Sequence, residues 1–152
     1  MILGSMPGRA SLEQQQYYAQ PQNAFWPIMG ELCGAGPDLA YADRLQALEE
    51  HRIALWDVLA SCHRPGSLDS AIRLRDAVAN DFAGFLASHV GIARICFNGA
   101  KALELYCRLV LPTLVNPAHD LPRVKLPSTS PAHAGMSRVD KLRAWRQAVR
   151  GK

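Results

Sequence analysis

The sequence predicts an α/β fold: a three-layer α/β/α arrangement with a central four-stranded parallel sheet. Two observations carry this. Four short apolar runs, Ile2-Leu3, Ile53 to Leu59, Arg94 to Phe97 and Arg123 to Leu126, alternate with segments of helical periodicity. Each run passes directly into a polar or Gly/Pro-marked turn: Gly4 to Ser11, Asp57 to Gly66, Asn98-Gly99 and Ser128 to Gly135. Ligands of such sheets collect at the carboxyl ends of the strands. Four turns on one rim therefore predict a site there, although any strand-to-helix connection needs the same residue types.

The elements follow in order. Ile2 and Leu3 end a buried strand, and strand-like sequence so close to residue 1 fits a natural chain that begins earlier. Ser11 and Gln14 have the spacing of a capping box, which starts a short helix. Asn23 reads as the N-cap of a helix through Leu32, with Pro27 in its first turn. Gly34-Ala35-Gly36-Pro37 stops that helix. Tyr41 to Glu50 is a helix with Leu45 and Leu48 on one face. Ser61 to Ser70 is a polar loop, and Ala79 to His89 a helix with Phe82, Phe85 and Leu86 on its apolar side. Gly99 to Leu109 is a helix closed by Pro112, and Pro127 to Gly135 a loop. Ser137 and Asp140 form a second capping box, opening a basic C-terminal helix. No repeat or linker divides the chain, so residues 1–152 read as one domain.

Composition bounds the function. With 49% hydrophobic and 20% charged residues, the chain reads as a packed globular protein. No apolar run approaches the ~20 residues that cross a bilayer. No export signal opens the chain, so a cytoplasmic protein without a membrane partner is expected. Cys33, Cys62, Cys96 and Cys107 are scattered, with no CxxC pair. Zinc or cluster ligation is not expected from that spacing, nor are disulfides, and no cofactor is expected. The net charge of +4 gives modest support for a polyanionic partner. It is concentrated at the C-terminus, where Arg138, Lys141, Arg143, Arg146, Arg150 and Lys152 face only Asp140. That helix is a candidate phosphate-binding surface or simply a solvated face.

Two stretches carry possible chemistry. Gly4-Ser5-Met6-Pro7-Gly8 follows a strand, and its glycines allow backbone N–H groups to approach a ligand. No Gly-Lys-Ser/Thr follows, so it is not a nucleotide P-loop, and a plain tight turn also accounts for it. Between Tyr17 and Pro27 lie Tyr17, Tyr18, Phe25 and Trp26. Aromatics beside a polar loop suit base stacking. Trp26 is assigned to the core, while Tyr18 and Phe25 fit either core or pocket.

Together these stretches resemble the uracil-DNA glycosylase superfamily. The match rests on Gly4-Ser5-Met6-Pro7-Gly8, then Tyr18-Ala19-x-Pro21-x-Asn23-x-Phe25-Trp26, then Ser128-Thr129-Ser130-Pro131-Ala132-His133. It runs from Ile2 to about Trp145 and is strongest toward the hypoxanthine-DNA glycosylase branch. The Asn-x-Phe-Trp stretch also resembles the mismatch-specific uracil glycosylases. The resemblance implies a monofunctional DNA glycosylase that starts base-excision repair. Such an enzyme flips a deaminated base, uracil or hypoxanthine, out of DNA and hydrolyses its N-glycosidic bond. It implies a base pocket built from Ser5, Met6, Pro7, Gly8, Tyr18, Phe25, Asp57 and Asn98. Ser128, Ser130, Pro131, Ala132 and His133 correspond to the loop that enters the duplex, and Lys101 is a candidate phosphate contact. A monomer acting on DNA is expected.

The departures from the family pattern are specific. Met6 stands where many members carry a water-handling Asp or Asn, and Ser128 stands where a His or Asn usually meets the base oxygen. The resemblance therefore moves the catalytic role to Asn23, whose plain reading is an N-cap. Asp57 replaces the Asn that reads the base edge, and an ionised carboxylate only accepts hydrogen bonds. Asn98 could supply the missing amide. Two other readings stay open: a damage-sensing DNA-binding protein of the same fold, and an unrelated flavodoxin-like nucleotide-binding domain.

Overall fold

Alternation along the first strand divides the core into two layers, because successive side chains leave opposite faces of a sheet. Ile2 enters one apolar cluster and Leu3 the other. In a computed structural model, which describes residues 1–150, the strands are β1 (Ile2–Gly4), β2 (Leu55–Asp57), β3 (Leu59–Ser61), β4 (Val78–Ala79), β5 (Ile95–Asn98) and β6 (Arg123–Leu126). The helices are α1 (Arg9–Gln14), α2 (Phe25–Cys33), α3 (Tyr41–Glu50), α4 (Phe82–Ser88), α5 (Ala100–Leu105) and α6 (Arg138–Arg150). The main sheet is parallel, in the order β2-β1-β5-β6. Residues of α4 and α5 share a cluster with Leu3, Ile95 and Phe97 on one face. Residues of α2, α3 and α6 share the other with Ile2, Cys96 and Leu126. The predicted three-layer class is thus the observed one. Arg123 and Lys125 lie exposed on the edge strand β6, where charge discourages further strand pairing. No described helix is long and apolar enough to cross a membrane.

Several local expectations are corrected. The Ile53–Leu59 run does not remain one strand. The Val58 and Leu59 N–H groups donate to the Gly4 and Ser5 carbonyls, and the chain then leaves the main sheet. β3 pairs antiparallel with β4, so the polar loop of residues 61–70 belongs to a longer arm, residues 62–77. The following helix begins at Phe82 rather than Ala79, because Asp81 caps it by accepting the Gly84 N–H at 2.9 Å. Ser11 does not cap a helix: α1 already begins at Arg9, and the buried Ser11 hydroxyl accepts the Ala19 N–H at 3.2 Å. In α3, Leu48 is buried while Leu45 is 38% exposed, so the apolar stripe is narrower than predicted. The regular turns of α5 end at Leu105, and the chain continues through a π turn to Val110 and a tighter turn over Leu111–Thr113. The second capping box is half formed, with the Asp140 N–H donating to Ser137 Oγ at 3.2 Å.

A candidate active site at the carboxyl rim of the sheet

Parallel register brings the ends of the strands together. Gly4 pairs with Asp57 across β1 and β2, while Asn98 and Leu126 pair across β5 and β6. The loops after these residues occupy one rim, as the turn pattern predicted.

The first wall is Ser5 to Gly8. Ser5 is buried, and Met6 packs against the apolar cluster below. The arm holds this loop from outside. The Arg64 guanidinium donates to the Pro7 carbonyl at 2.6 Å and pairs with Asp69 at 3.3 Å. Ser67 Oγ accepts the Arg9 N–H at 3.0 Å. Among the described residues, the N–H groups of Ser5, Met6 and Gly8 meet no protein acceptor, so they remain available to a ligand oxygen.

The second wall is Tyr18. Its φ of 53° lies in the left-handed region, where a bulky residue is strained by about 1–3 kcal/mol. Three hydrogen bonds impose that conformation. The Tyr17 N–H donates to the Tyr41 hydroxyl at 3.0 Å, Trp26 Nε1 donates to the Tyr17 carbonyl at 2.8 Å, and the Ala19 N–H reaches Ser11. The Tyr18 ring stacks on Phe25 with centroids 4.0 Å apart. Phe25 was expected in the pocket, but it has 0% exposure and stands behind Tyr18 in the core. Trp26 is also in the core, as expected.

Asp57 and Asn98 form the floor. Asp57 is 6% exposed, and its carboxyl has no hydrogen-bond partner among the described residues. Burial is the main cause that pushes it up to about 7; the nearby Asp69 carboxylate adds to the shift and the Arg64 guanidinium opposes it. The hydroxyl of Tyr18 is buried and unpartnered as well. Burial raises that phenol strongly, and the negative charge of Asp57 adds to the effect. The Asn98 amide lies beside this hydroxyl without hydrogen-bonding geometry. Asn98 was expected to offer its amide to the base. Its Oδ1 accepts the Thr129 N–H at 2.9 Å and its Nδ2 donates one of its two N–H groups to Thr129 Oγ1 at 2.8 Å, which leaves the second for a ligand.

Thr129, 1% exposed, is the hub that the sequence reading did not select, although it sits inside a quoted motif. Its carbonyl also accepts the Ala24 N–H at 3.0 Å, which ties the segment before α2 to the last rim loop. Asn23 adjoins this tie. It stands just outside the helix rather than at its cap position, since α2 starts at Phe25 and Ala24 is the N-cap. The Asn23 Oδ1 still accepts the Phe25 N–H at 3.0 Å. Its Nδ2 has no partner among the described residues, so the bond to Phe25 occupies one end of the amide and leaves the donor end free.

The last rim loop carries the remaining expected residues. Ser128 and Ser130 are half-buried, and each hydroxyl accepts an N–H two residues on, from Ser130 and Ala132 at 3.2 Å. Pro131, Ala132 and His133 are exposed and project from the rim. Gly99 adopts a φ of 100° and passes so close to Ser128 that a Cβ would stand 3.1 Å from the serine Cβ. Lys101 begins the helix beside it but is paired with Glu104 at 3.1 Å. Lys141, counted among the free basic residues of α6, is 5% exposed and donates to the His133 carbonyl at 2.8 Å. It is a brace for the loop rather than a surface cation. Of the basic run in α6, the side chain of Arg150, and Lys152 altogether, lie outside the described residues.

An apolar cavity of about 310 Å³ lies elsewhere, between α4 and residues 113–121. Leu86, Ile92, Leu114 and Leu121 help line it, and Ile92 and Leu121 precede β5 and β6. It therefore opens toward the opposite ends of the strands and takes no part in the rim.

Known proteins resemble this chain. The chain is similar to the hypoxanthine DNA glycosylase of Methanosarcina acetivorans, with 43% identity over 105 residues, or 68% of this chain and 65% of that protein. The hypoxanthine DNA glycosylase of Methanosarcina barkeri is 35% identical over 105 residues with the same coverage. The matched part thus spans just under two-thirds of these relatives' length. The solution NMR structure of a candidate uracil DNA glycosylase from Methanosarcina acetivorans superposes with a TM-score of 0.74 at 36% identity, covering 96% of this chain and 88% of that one. A family model described as the uracil DNA glycosylase superfamily matches residues 1–150. With the parallel sheet and the rim loops in the order that the motifs imply, the chain belongs to the uracil DNA glycosylase superfamily.

Proposed function

We propose that this protein is a monofunctional DNA glycosylase that excises hypoxanthine from DNA, working as a cytoplasmic monomer. The observation that carries the reading is the placing of Tyr18, Asp57 and the Ser5–Gly8 loop together at the carboxyl rim, in a chain similar to two proteins named hypoxanthine DNA glycosylase. Uracil presents a carbonyl and ring N–H like those of hypoxanthine and is the second candidate base.

The target nucleotide swings out of the duplex, and the base stacks on the face of Tyr18 opposite Phe25. The C1′–N bond breaks with its electron pair moving onto the base, and water adds to C1′ while its proton passes, directly or through solvent, to the departing base anion. Backbone N–H groups of the first loop meet the negative charge that develops on the base. One preorganised donor of this kind is worth about 3 kcal/mol. Asn23 Nδ2 donates to the base or orients the water; an amide is not basic enough to take its proton. His133 and its exposed neighbours enter the duplex, and Lys101 contacts a phosphate.

Met6 and Ser128 occupy positions where many relatives carry polar catalytic groups, which keeps damage binding without cleavage as the competing reading. Duplexes carrying one hypoxanthine or uracil decide between them. Strand breaks after incubation and alkali support excision, whereas tight binding without breaks supports the competitor. Asn23→Asp keeps the acceptor that holds the Phe25 N–H but removes the donor. The substitution is expected to leave stability within about 0.5 kcal/mol and to lower excision at least tenfold. Full activity in that variant would remove Asn23 from the mechanism.

A further inference from the structure

Among the described residues the buried Tyr18 hydroxyl has no partner and the carboxyl of Asp57, a residue 6% exposed, accepts no hydrogen bond, and the two face the same place. The Asp57 carboxyl and the Tyr18 hydroxyl meet over Gly4. A Cβ on Gly4 would collide with Asp57 Oδ1 and stand 3.1 Å from the Tyr18 oxygen. Glycine is required there because the space is filled by these two groups. Buried polar groups are nearly always satisfied, so an unpartnered hydroxyl beside an unpartnered carboxyl at the carboxyl rim points to a ligand.

The surroundings decide which form of the carboxyl is present. From the arm, Arg64 and Asp69 act on it, and Arg64 spends its hydrogen bonds on Pro7 and on Asp69 itself. From the segment after α1 come Tyr17 and Tyr18, and beyond Tyr18, from β5, the Asn98 amide. Among the described residues no cation bonds the carboxyl directly, and a buried carboxylate without such a bond is strongly disfavoured.

We propose that Asp57 reads the flipped base as a neutral carboxylic acid, donating its O–H to a base carbonyl oxygen while its own C=O accepts the adjacent ring N–H. This rests on the glycosylase reading above and deepens it. Hypoxanthine and uracil both carry that O=C–N–H group, so the acid form matches the class of deaminated, lactam-bearing bases. It also removes the objection to Asp at this position, since a neutral acid carries both a donor and an acceptor. An ionised Asp57 instead sets negative charge against the carbonyl oxygen and against the charge that develops as the base departs. No proton leaves Asp57 during the reaction; it holds the base and stabilises its departure.

The test is the pH profile of single-turnover hypoxanthine excision between pH 6 and pH 8, below the range in which the base's own N–H ionises. Wild-type excision is expected to fall about tenfold across this interval, as one group titrating near its middle requires. Asp57→Asn keeps one donor and one acceptor but cannot ionise. Its ratio of rates at pH 8 and pH 6 should stay within about twofold, whatever its overall rate. The same fall in both proteins, or no fall in wild type, overturns the assignment. A second measurement does not depend on the variant: carbon-detected NMR of the Asp57 carboxyl in the free protein. A midpoint near neutrality supports the acid form, and a midpoint below pH 5 overturns it. If wild type excises neither base at any pH, the glycosylase reading itself fails and takes this assignment with it. Excision with an alkaline fall unaltered in Asp57→Asn sinks only the role of Asp57.

Discussion

Replacing Asp57 by Asn exposes the cost of burying an ionisable group at the rim. In the folded protein this carboxyl is pushed from 3.8 up to about 7, chiefly by burial, with Asp69 adding and Arg64 opposing. In the unfolded chain it ionises near its ordinary value. Below that value both states hold the proton, and the full stability is present. As the pH rises toward neutrality, the unfolded chain sheds a proton that the folded protein keeps, so stability falls. Above about 7 both states are ionised and the loss is complete. Each pH unit is worth about 1.4 kcal/mol, so the whole interval of about three units costs about 4 kcal/mol. The amide of the Asp57→Asn variant does not ionise and carries no such penalty. Urea unfolding of both proteins at pH 5 and pH 8 isolates the effect, because other titrating groups cancel in the difference. Relative to wild type, Asp57→Asn should gain about 3 kcal/mol between these two conditions. An unchanged difference would show that Asp57 ionises as readily in the folded protein as in the unfolded chain, and the account of the rim as a low-dielectric floor would be wrong.

Two further outcomes follow from the same contacts. Thr129→Ala strips the acceptor from Asn98 Nδ2, leaving a buried donor unpaired, and should cost about 1–3 kcal/mol in thermal or urea unfolding; Thr129→Ser should recover most of it, and an equal loss in both variants would refute the hub. Tyr18→Phe removes a buried hydroxyl that has no partner, so stability should hold or rise by up to about 1 kcal/mol; a clear loss on urea unfolding would mean that this hydroxyl is bonded in solution.

The order of strands and helices was legible along the chain because its signals are local. Apolar runs of strand length alternate with helical periods, and glycine and proline mark the turns. The carboxyl rim followed from the same pattern, since parallel strands joined through helices place their outgoing turns on one edge. The motifs around Ser5, Tyr18, Asn23 and Ser128 were legible as a set for the same reason: each lies in one short stretch.

What the tertiary structure decided involves residues far apart in the chain. The departure of β3 from the sheet depends on carbonyls at and just past the end of β1, more than fifty residues away, as Val58 and Leu59 donate to Gly4 and Ser5. The Arg64 clamp on Pro7 spans 57 residues, and Asn98 and Thr129 bond across 31. Ser11 looked like a cap because its spacing to Gln14 is local, yet its hydroxyl holds Ala19 and so helps force Tyr18 into a left-handed turn. Lys141 looked like a surface cation until α6 packed against the sheet and aimed it at His133. By itself the sequence determined which residue types line the rim. Only folding decided which groups are spent on one another, as Asn98 Oδ1 is on Thr129, and which stay unpaired among the described residues, as the Asp57 carboxyl and the Tyr18 hydroxyl do, because burial and hydrogen bonding are properties of the assembled layers and not of any single segment.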